Sequence, residues 1–166
     1  MTVSLRPAVV KDIEGYFRLQ QDQEAVWMAA FTSAELHDRD AFERRWRRIL
    51  TDPTVTVLTV LDASGRGAPQ AVGQVLSFLV EGQREVSYWI DRPHWGRGIA
   101  TEALRLLLTR VDVRPLFARA AQDNAGSLAV LRHNGFTVVG EDIGPAAARG
   151  AMVKEYILRL DPPSAP

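Results

Sequence analysis

The sequence predicts a single mixed α/β domain of α+β character. Three observations carry this prediction. Short runs rich in β-branched and alternating apolar residues recur along the chain, and segments with helical apolar spacing fall between them. The two kinds follow one another as strand, two helices, three strands, helix, strand, helix, two strands, which is not the strict alternation of an all-parallel sheet. Finally, 166 residues with 46% hydrophobic and 24% charged side chains suit one packed core. The domain is expected over residues 1–160, with the proline-rich stretch 161–166 as a disordered tail.

Val3–Arg6 reads as the first strand, and Pro7 stops it. Asp12 then helps to start a helix. Ile13, Tyr16, Phe17 and Gln20 share one helical face, so the first helix is expected to run to about Ala25. Residues Val26–Ala34 show no clean period despite carrying Trp27, Met28 and Phe31. A second helix opens near His37–Asp40 with Phe42, Trp46, Ile49 and Leu50 as its stripe. It closes before Pro53, because proline disfavours helical geometry in the residue ahead of it. Val55–Leu61 and Ala71–Leu79 are strands joined by the turn-rich stretch 62–69, hence an antiparallel hairpin. Gly82 turns the chain into a third strand, Glu85–Ile90.

After the loop 91–98, Ala100, Ala103, Leu104, Leu107 and Val111 define a helix, and Pro115 ends that region. Leu116–Ala121 is the next strand. Asp123 or Asn124 caps the following helix, which carries Leu128 and Leu131 and closes at Gly135. Phe136–Gly140 and Val153–Leu160 are the last strands, separated by a small-residue loop that includes 144–150.

Composition excludes several function classes. Twenty basic and twenty acidic residues give zero formal net charge, so there is no bulk electrostatic attraction for nucleic acid or an anionic membrane. The local cluster Arg44, Arg45, Arg47 and Arg48 reads as a solvated helix face. With no cysteine, disulfides, thiolate metal sites and a cysteine nucleophile are excluded. His37, His94 and His133 lack metal-ligand spacing, so no metal is expected. No apolar run approaches a membrane span, and the N-terminus lacks a secretory pattern, so a cytoplasmic protein is expected.

The informative segment runs from Tyr88 to Leu104: a strand enters a loop with Gly96 and Gly98, and the loop opens directly into a helix. Glycines permit a sharp bend and close approach to a ligand. Amides at a helix start are unpaired and carry the positive end of the helix dipole, so they suit a pyrophosphate. Thr101 adds a hydroxyl and Arg97 a charge. Read alone, the segment serves equally as a tight turn. A dinucleotide-binding loop competes, with Asp123 as its ribose ligand, but that pattern wants glycine where Thr101 stands, and antiparallel strands precede the loop here. Asn124 and Ser127, three apart at the next helix start, read alone as a cap and a solvated hydroxyl.

Together these blocks resemble the GNAT (GCN5-related N-acetyltransferase) superfamily, most nearly its RimJ/RimL-like branch. Glu85-Val-Ser-Tyr-Trp-Ile is similar to that family's central strand. Pro93-His-Trp-Gly-Arg-Gly-Ile-Ala-Thr-Glu-Ala-Leu is similar to its coenzyme A signature, and Asn124 through Phe136 to its following helix. Leu5-Arg-Pro with Asp12 extends the likeness over nearly the whole chain. The resemblance implies a mostly antiparallel twisted sheet of about seven strands, the fourth and fifth splayed apart, flanked by about four helices. It implies acetyl-CoA as cosubstrate and a primary amine as acceptor, on a small molecule or at a protein N-terminus. A homodimer is common among relatives.

The same resemblance assigns the coenzyme to the backbone of Tyr88, Trp89 and Ile90, the loop Trp95, Gly96, Arg97, Gly98, Ile99, Ala100 and Thr101, and Asn124 and Ser127. Glu85 stands where the family often places a general base, though it reads equally as an ordinary strand glutamate. Many members carry a tyrosine acid where this chain has Leu131, so that route is excluded here. Ser127 matches the serine given the acid role in RimL-like enzymes. Trp27 and Phe31 are implied in the acceptor pocket and read equally as core, and alternation leaves Tyr156 facing either. A module that binds coenzyme A without catalysis is the alternative that the missing tyrosine keeps open.

Overall fold

The computed structural model describes residues 2–165. Met1 and Pro166, the outer ends of the expected domain and tail, lie outside the described residues. Twelve elements follow in chain order: β1 (Val3–Pro7), α1 (Ile13–Leu19), α2 (Gln23–Ala29), α3 (Arg39–Thr51), β2 (Thr56–Asp62), β3 (Gln70–Val80), β4 (Gln83–Ile90), α4 (Ile99–Leu108), β5 (Leu116–Ala121), α5 (Ala125–His133), β6 (Thr137–Ala146) and β7 (Ala151–Leu160). Single 3₁₀ turns at Val10–Asp12 and Arg92–His94 lead into α1 and toward α4.

The seven strands form one sheet in the order β1-β2-β3-β4-β5-β7-β6. Every pairing is antiparallel except β4 with β5, which run parallel and register at a single pair, Glu85 opposite Phe117. Beyond that pair the two strands part. The expected splay of the fourth and fifth strands is therefore present.

Strand alternation sorts the core to two faces. On one, Val86 and Ile90 of β4 meet Leu104 and Leu107 of α4, Leu128 and Leu131 of α5, and Leu116 and Leu158. Leu104, Leu107, Leu116 and Leu158 are fully buried, and each such side chain contributes roughly 1.5–3 kcal/mol. On the other face, Ile13 and Tyr16 of α1 pack with Phe42 and Trp46 of α3 and Val57 of β2. The Tyr16 and Trp46 rings lie 4.8 Å apart. An ion pair buried at its Asp12 end fastens the N-terminal strand to this layer. Arg6 donates twice to Asp12 at 2.7 Å, and Asp12 also accepts from the Val9 amide at 2.8 Å and the Thr59 hydroxyl at 3.0 Å.

Three expectations are corrected. The first helix is not continuous to Ala25: it stops at Leu19, and α2 begins at Gln23. Asp22 turns extended and accepts from the Ala25 amide at 3.0 Å, so a cap interrupts the pattern and the aperiodic stretch holding Trp27 and Met28 is helical. The helices accordingly number five. The penultimate strand continues past Gly140 to Ala146, and the loop shrinks to 147–150. Pro145 is tolerated because β6 is an edge strand, paired only with β7. Finally, α4 ends at Leu108, although Val111 beyond it is still buried.

Candidate active site

A cavity of about 570 Å³ opens where β4 and β5 separate. That is the size of a small-molecule site. One wall is the β4 edge, and the floor is the loop before α4 and its first turn. The facing wall is the start of α5, and α2 lies over it through Ala25, Met28 and Ala29.

The β4 edge is exposed by pairing arithmetic. The Asp91 amide donates to the Val72 carbonyl at 2.8 Å. In an antiparallel pair the backbone groups of alternate residues face the partner. Trp89 and Ser87 therefore spend their amides and carbonyls on β3, while Tyr88 and Ile90 present theirs to the gap. Of the Trp89 and Ile90 amides, the one that faces the gap is that of Ile90. Its carbonyl is capped within the chain: the Trp95 indole Nε1 donates to it at 2.8 Å.

The loop takes the shape its glycines allow. Gly96 has φ +71°, and Gly98 is the left-handed residue heading α4 with φ +75°. Among the described residues, the amides of Gly96, Arg97, Gly98, Ile99, Ala100 and Thr101 donate to no protein acceptor. The last three are first-turn amides, which an α-helix leaves unpaired. Six consecutive donors around a helix N-terminus form a site for an anion. The Arg97 side chain turns away, donating to Asp62 at 3.0 Å and to the Ser64 hydroxyl at 2.7 Å. It contributes backbone and not charge to the loop.

Across the gap, Asn124 caps α5 by accepting from the Ser127 amide at 3.1 Å, and its Nδ2 donates to the Met28 carbonyl at 3.1 Å. It thus joins α5 to α2. The Tyr88 hydroxyl lies 2.7 Å from Ser127 Oγ and 3.0 Å from the Ser127 carbonyl oxygen. Burial pushes the Tyr88 phenol up to about 12, against the pull of its bond to Ser127.

Four further sequence candidates lie outside the cavity lining. Glu85 sits at the vertex where β4 and β5 still pair. It is 8% exposed, with Arg119 Nε 3.4 Å from its carboxylate. Burial pushes its pKa up, Arg119 opposes this, and the net direction is upward. Arg119 also holds Glu155 at 2.7 Å and Asp142 at 3.3 Å, so one guanidinium ties four strands. Trp27 is 52% exposed and Phe31 36%, which removes the reading of both as core. Phe31 lies beside Gly144 of the β6–β7 hairpin. Tyr156 packs against the larger core cluster.

Sequence reasoning passed over Arg149. Its side chain donates twice to Asp123 and once to the Trp27 carbonyl at 2.9 Å, and its guanidinium stands over the Trp27 ring at 5.2 Å. The hairpin turn is thereby latched to α2. An arginine alone in a run of alanine and glycine was the available signal. Met28 and His94 also line the cavity, and neither had a pattern that marked it.

A parted parallel pair, a glycine loop of open amides and a capped facing helix thus enclose one cavity. The chain belongs to the GNAT acetyltransferase family: the family described as "Acetyltransferase (GNAT) domain" matches residues 2–137. A curated relative, "Uncharacterized N-acetyltransferase p20" of Bacillus licheniformis, is 28% identical over 83 residues, which is 48% of this chain and 47% of that protein. The match thus spans about half the length of that relative. The fold is similar to that of the RimL ribosomal L7/L12 alpha-N-protein acetyltransferase in complex with coenzyme A. There the TM-score is 0.76 at 18% identity, over 95% of this chain and 93% of that one. It is also similar to spermidine N-acetyltransferase from Vibrio cholerae in complex with CoA and spermine, with TM-score 0.76 and 16% identity over 96% and 95%. A third match is Mycobacterium smegmatis RimJ in complex with CoA-disulfide, with TM-score 0.75 and 20% identity over 96% and 81%. At these identities the likeness establishes the fold.

Proposed function

We propose that this protein is an acetyl-CoA-dependent N-acetyltransferase of the RimJ/RimL-like branch. It would move an acetyl group to a primary amine by direct attack, in the cytoplasm. The single observation that carries the reading is the run of six unpartnered amides from Gly96 to Thr101, all but Arg97 belonging to residues that line a cavity beside an unpaired strand edge. Those amides would hold the diphosphate. The gap-facing groups of Tyr88 would pair with the amide-bearing arm, as an added strand would. Acetyl-CoA supplies the acyl group already activated as a thioester.

The chain's own work is then fourfold. The Ile90 amide is placed to polarise the carbonyl that the amine attacks. Met28, Ala25 and Ala29 line the cavity from α2 and would shield part of it from water. Proton removal matters in proportion to the acceptor. An alkyl amine with pKa about 10.4 loses roughly 4–5 kcal/mol in reaching its neutral form at pH 7, an α-amine only about 1 kcal/mol. Glu85, raised by burial, would receive that proton directly or through water. Ser127 would hydrogen-bond the leaving sulfur, a modest task because a thiol of pKa about 8.5 favours protonation by only about 2 kcal/mol at neutral pH. The acceptor would enter between Trp27, Phe31 and the β6–β7 hairpin.

A screen of peptide N-termini, polyamines and aminoglycosides against acetyl-CoA, read by free thiol release, tests the proposal. Thiol release above the acceptor-free rate is expected for at least one class. The second reading, a coenzyme-binding module without catalysis, is favoured by Leu131, buried at 1% exposure where a tyrosine acid would stand. Tight coenzyme binding with no transfer to any amine would select it.

A further inference from the structure

We propose that Tyr88 is a positioning residue for Ser127: its hydroxyl, shared between Ser127 Oγ and the Ser127 carbonyl, decides whether the serine proton points into the cavity. The inference rests on the acetyl-transfer reading of that cavity.

The argument is a count of protons. Two hydroxyls, Tyr88 Oη and Ser127 Oγ, lie 2.7 Å apart, and the Ser127 carbonyl is 3.0 Å from Tyr88 Oη. A carbonyl only accepts, and each hydroxyl has one proton. In one arrangement Tyr88 donates to the carbonyl, Ser127 donates to Tyr88, and no proton is left for the cavity. In the other, Tyr88 donates to Ser127 Oγ, and the serine proton turns toward the cavity that both residues line. Among the described residues Ser127 Oγ has no other partner. A tyrosine buried for packing alone would be satisfied by the carbonyl; the second, shorter contact needs a separate reason.

Acetyl transfer forms the C–N bond and breaks the C–S bond, and the electron pair stays on sulfur. The displaced amine proton leaves through Glu85 or water, and sulfur finally takes a proton from solvent. Tyr88 is not the net source of that proton. Its phenol stands at about 12, whereas a thiol ionises near 8.5, so complete transfer along the pair runs uphill by about three orders of magnitude. What the pair supplies is a hydrogen bond to the developing thiolate. It is donated by Ser127 and strengthened because Tyr88 donates to Ser127 in turn. The tyrosine acid missing at Leu131 is thus replaced by a donor chain entered from β4.

The test uses Tyr88→Phe, Ser127→Ala and their double variant. Coenzyme A is titrated in each complex through the ultraviolet absorbance of its thiolate, and turnover is measured with acetyl-CoA and hydroxylamine, an acceptor already neutral at pH 7. In the unaltered protein the bound thiol is expected to ionise at lower pH than in either single variant, by about half a unit to one unit. Tyr88→Phe should lower kcat about three- to tenfold with KM for acetyl-CoA within about twofold, and the double variant should be no slower than Ser127→Ala. Because Tyr88→Phe removes a buried hydroxyl, 3-fluorotyrosine at position 88 serves as a second variant of nearly unchanged shape. Its more acidic phenol should shift the bound thiol further down.

Single-variant effects that multiply in the double variant, or a bound thiol indifferent to both changes at position 88, would overturn the inference. Loss confined to KM and thermal stability would also overturn it. A wild-type protein that shifts the thiol but transfers nothing to hydroxylamine or to any acceptor of the screen would count against the acetyltransferase reading and not against Tyr88. With neither shift nor transfer, both fall.

Discussion

The Trp95 indole reaches back across the loop and donates to the carbonyl of Ile90, the last residue of β4, at 2.8 Å. That carbonyl faces the gap left by β5, where no strand can satisfy it. One side chain therefore fixes the entry angle of the loop and closes off the outermost acceptor of the strand edge. Trp95→Phe should lower stability by about 1 kcal/mol, since the carbonyl is left to water. It should also raise KM for acetyl-CoA severalfold as the loop loses its tether. Denaturant unfolding and initial rates check the two parts.

Gly98 heads α4 in left-handed geometry, φ +75°. Alanine there meets a steric penalty of about 1 kcal/mol. Relief of that strain would rotate the first-turn amides away from their common focus. Gly98→Ala should weaken coenzyme A binding about tenfold while costing stability only about 1 kcal/mol, a disproportion that calorimetry and thermal unfolding measure side by side.

For Glu85 the sign of the pH effect follows from its raised pKa. The folded protein binds this proton more tightly than the unfolded chain does. The stability Glu85 contributes is therefore greatest below the ordinary glutamate range, and it declines as pH rises through the raised value. Glu85→Gln should remove that decline, seen as a flatter dependence of Tm on pH above the ordinary glutamate range. Turnover needs the ionised form and should rise over the same interval. The substitution should slow acetylation of an alkyl amine about a hundredfold and of an α-amine far less.

Asp12 behaves in the opposite sense. Burial raises its pKa, but hydrogen bonds from Arg6, the Val9 amide and Thr59 outweigh burial and hold it below the usual carboxylate range. Its stabilisation is present above the ordinary aspartate pKa and is lost as pH falls through the depressed value. Asp12→Asn should destabilise the fold by about 1–2 kcal/mol at pH 7, because a half-exposed Arg6 loses its charged hydrogen-bond partner. It should also remove the share of the acid dependence that comes from Asp12, so that stability falls less steeply below the ordinary aspartate pKa, while Asp62 and the other depressed carboxylates still titrate. Acid titration of unfolding free energy for both proteins is the measurement.

Local chemistry made much of this molecule legible in advance. The strands over Val55–Leu61 and Glu85–Ile90 and the stripe of α3 were readable because each is a short-range repeat. The glycine loop was readable because only glycine holds positive φ without strain. What failed to read were boundaries set by single polar groups, such as the Asp22 cap that splits one expected helix into α1 and α2. The length of β6 also failed, since its glycines and Pro145 look like loop until the strand is seen to be an edge.

The sequence by itself determined the order of the strands and the phosphate-loop candidate, because these depend on contacts within a few residues. Tertiary structure alone decided which distant groups meet. Only folding brings Tyr88 of β4 to Ser127 of α5, turns Arg97 toward Asp62, sets Arg119 between Glu85 and Glu155, and stretches Arg149 from the hairpin to Trp27. Hydrogen bonds between residues tens of positions apart follow from how the strands and helices pack, and no local period records that packing.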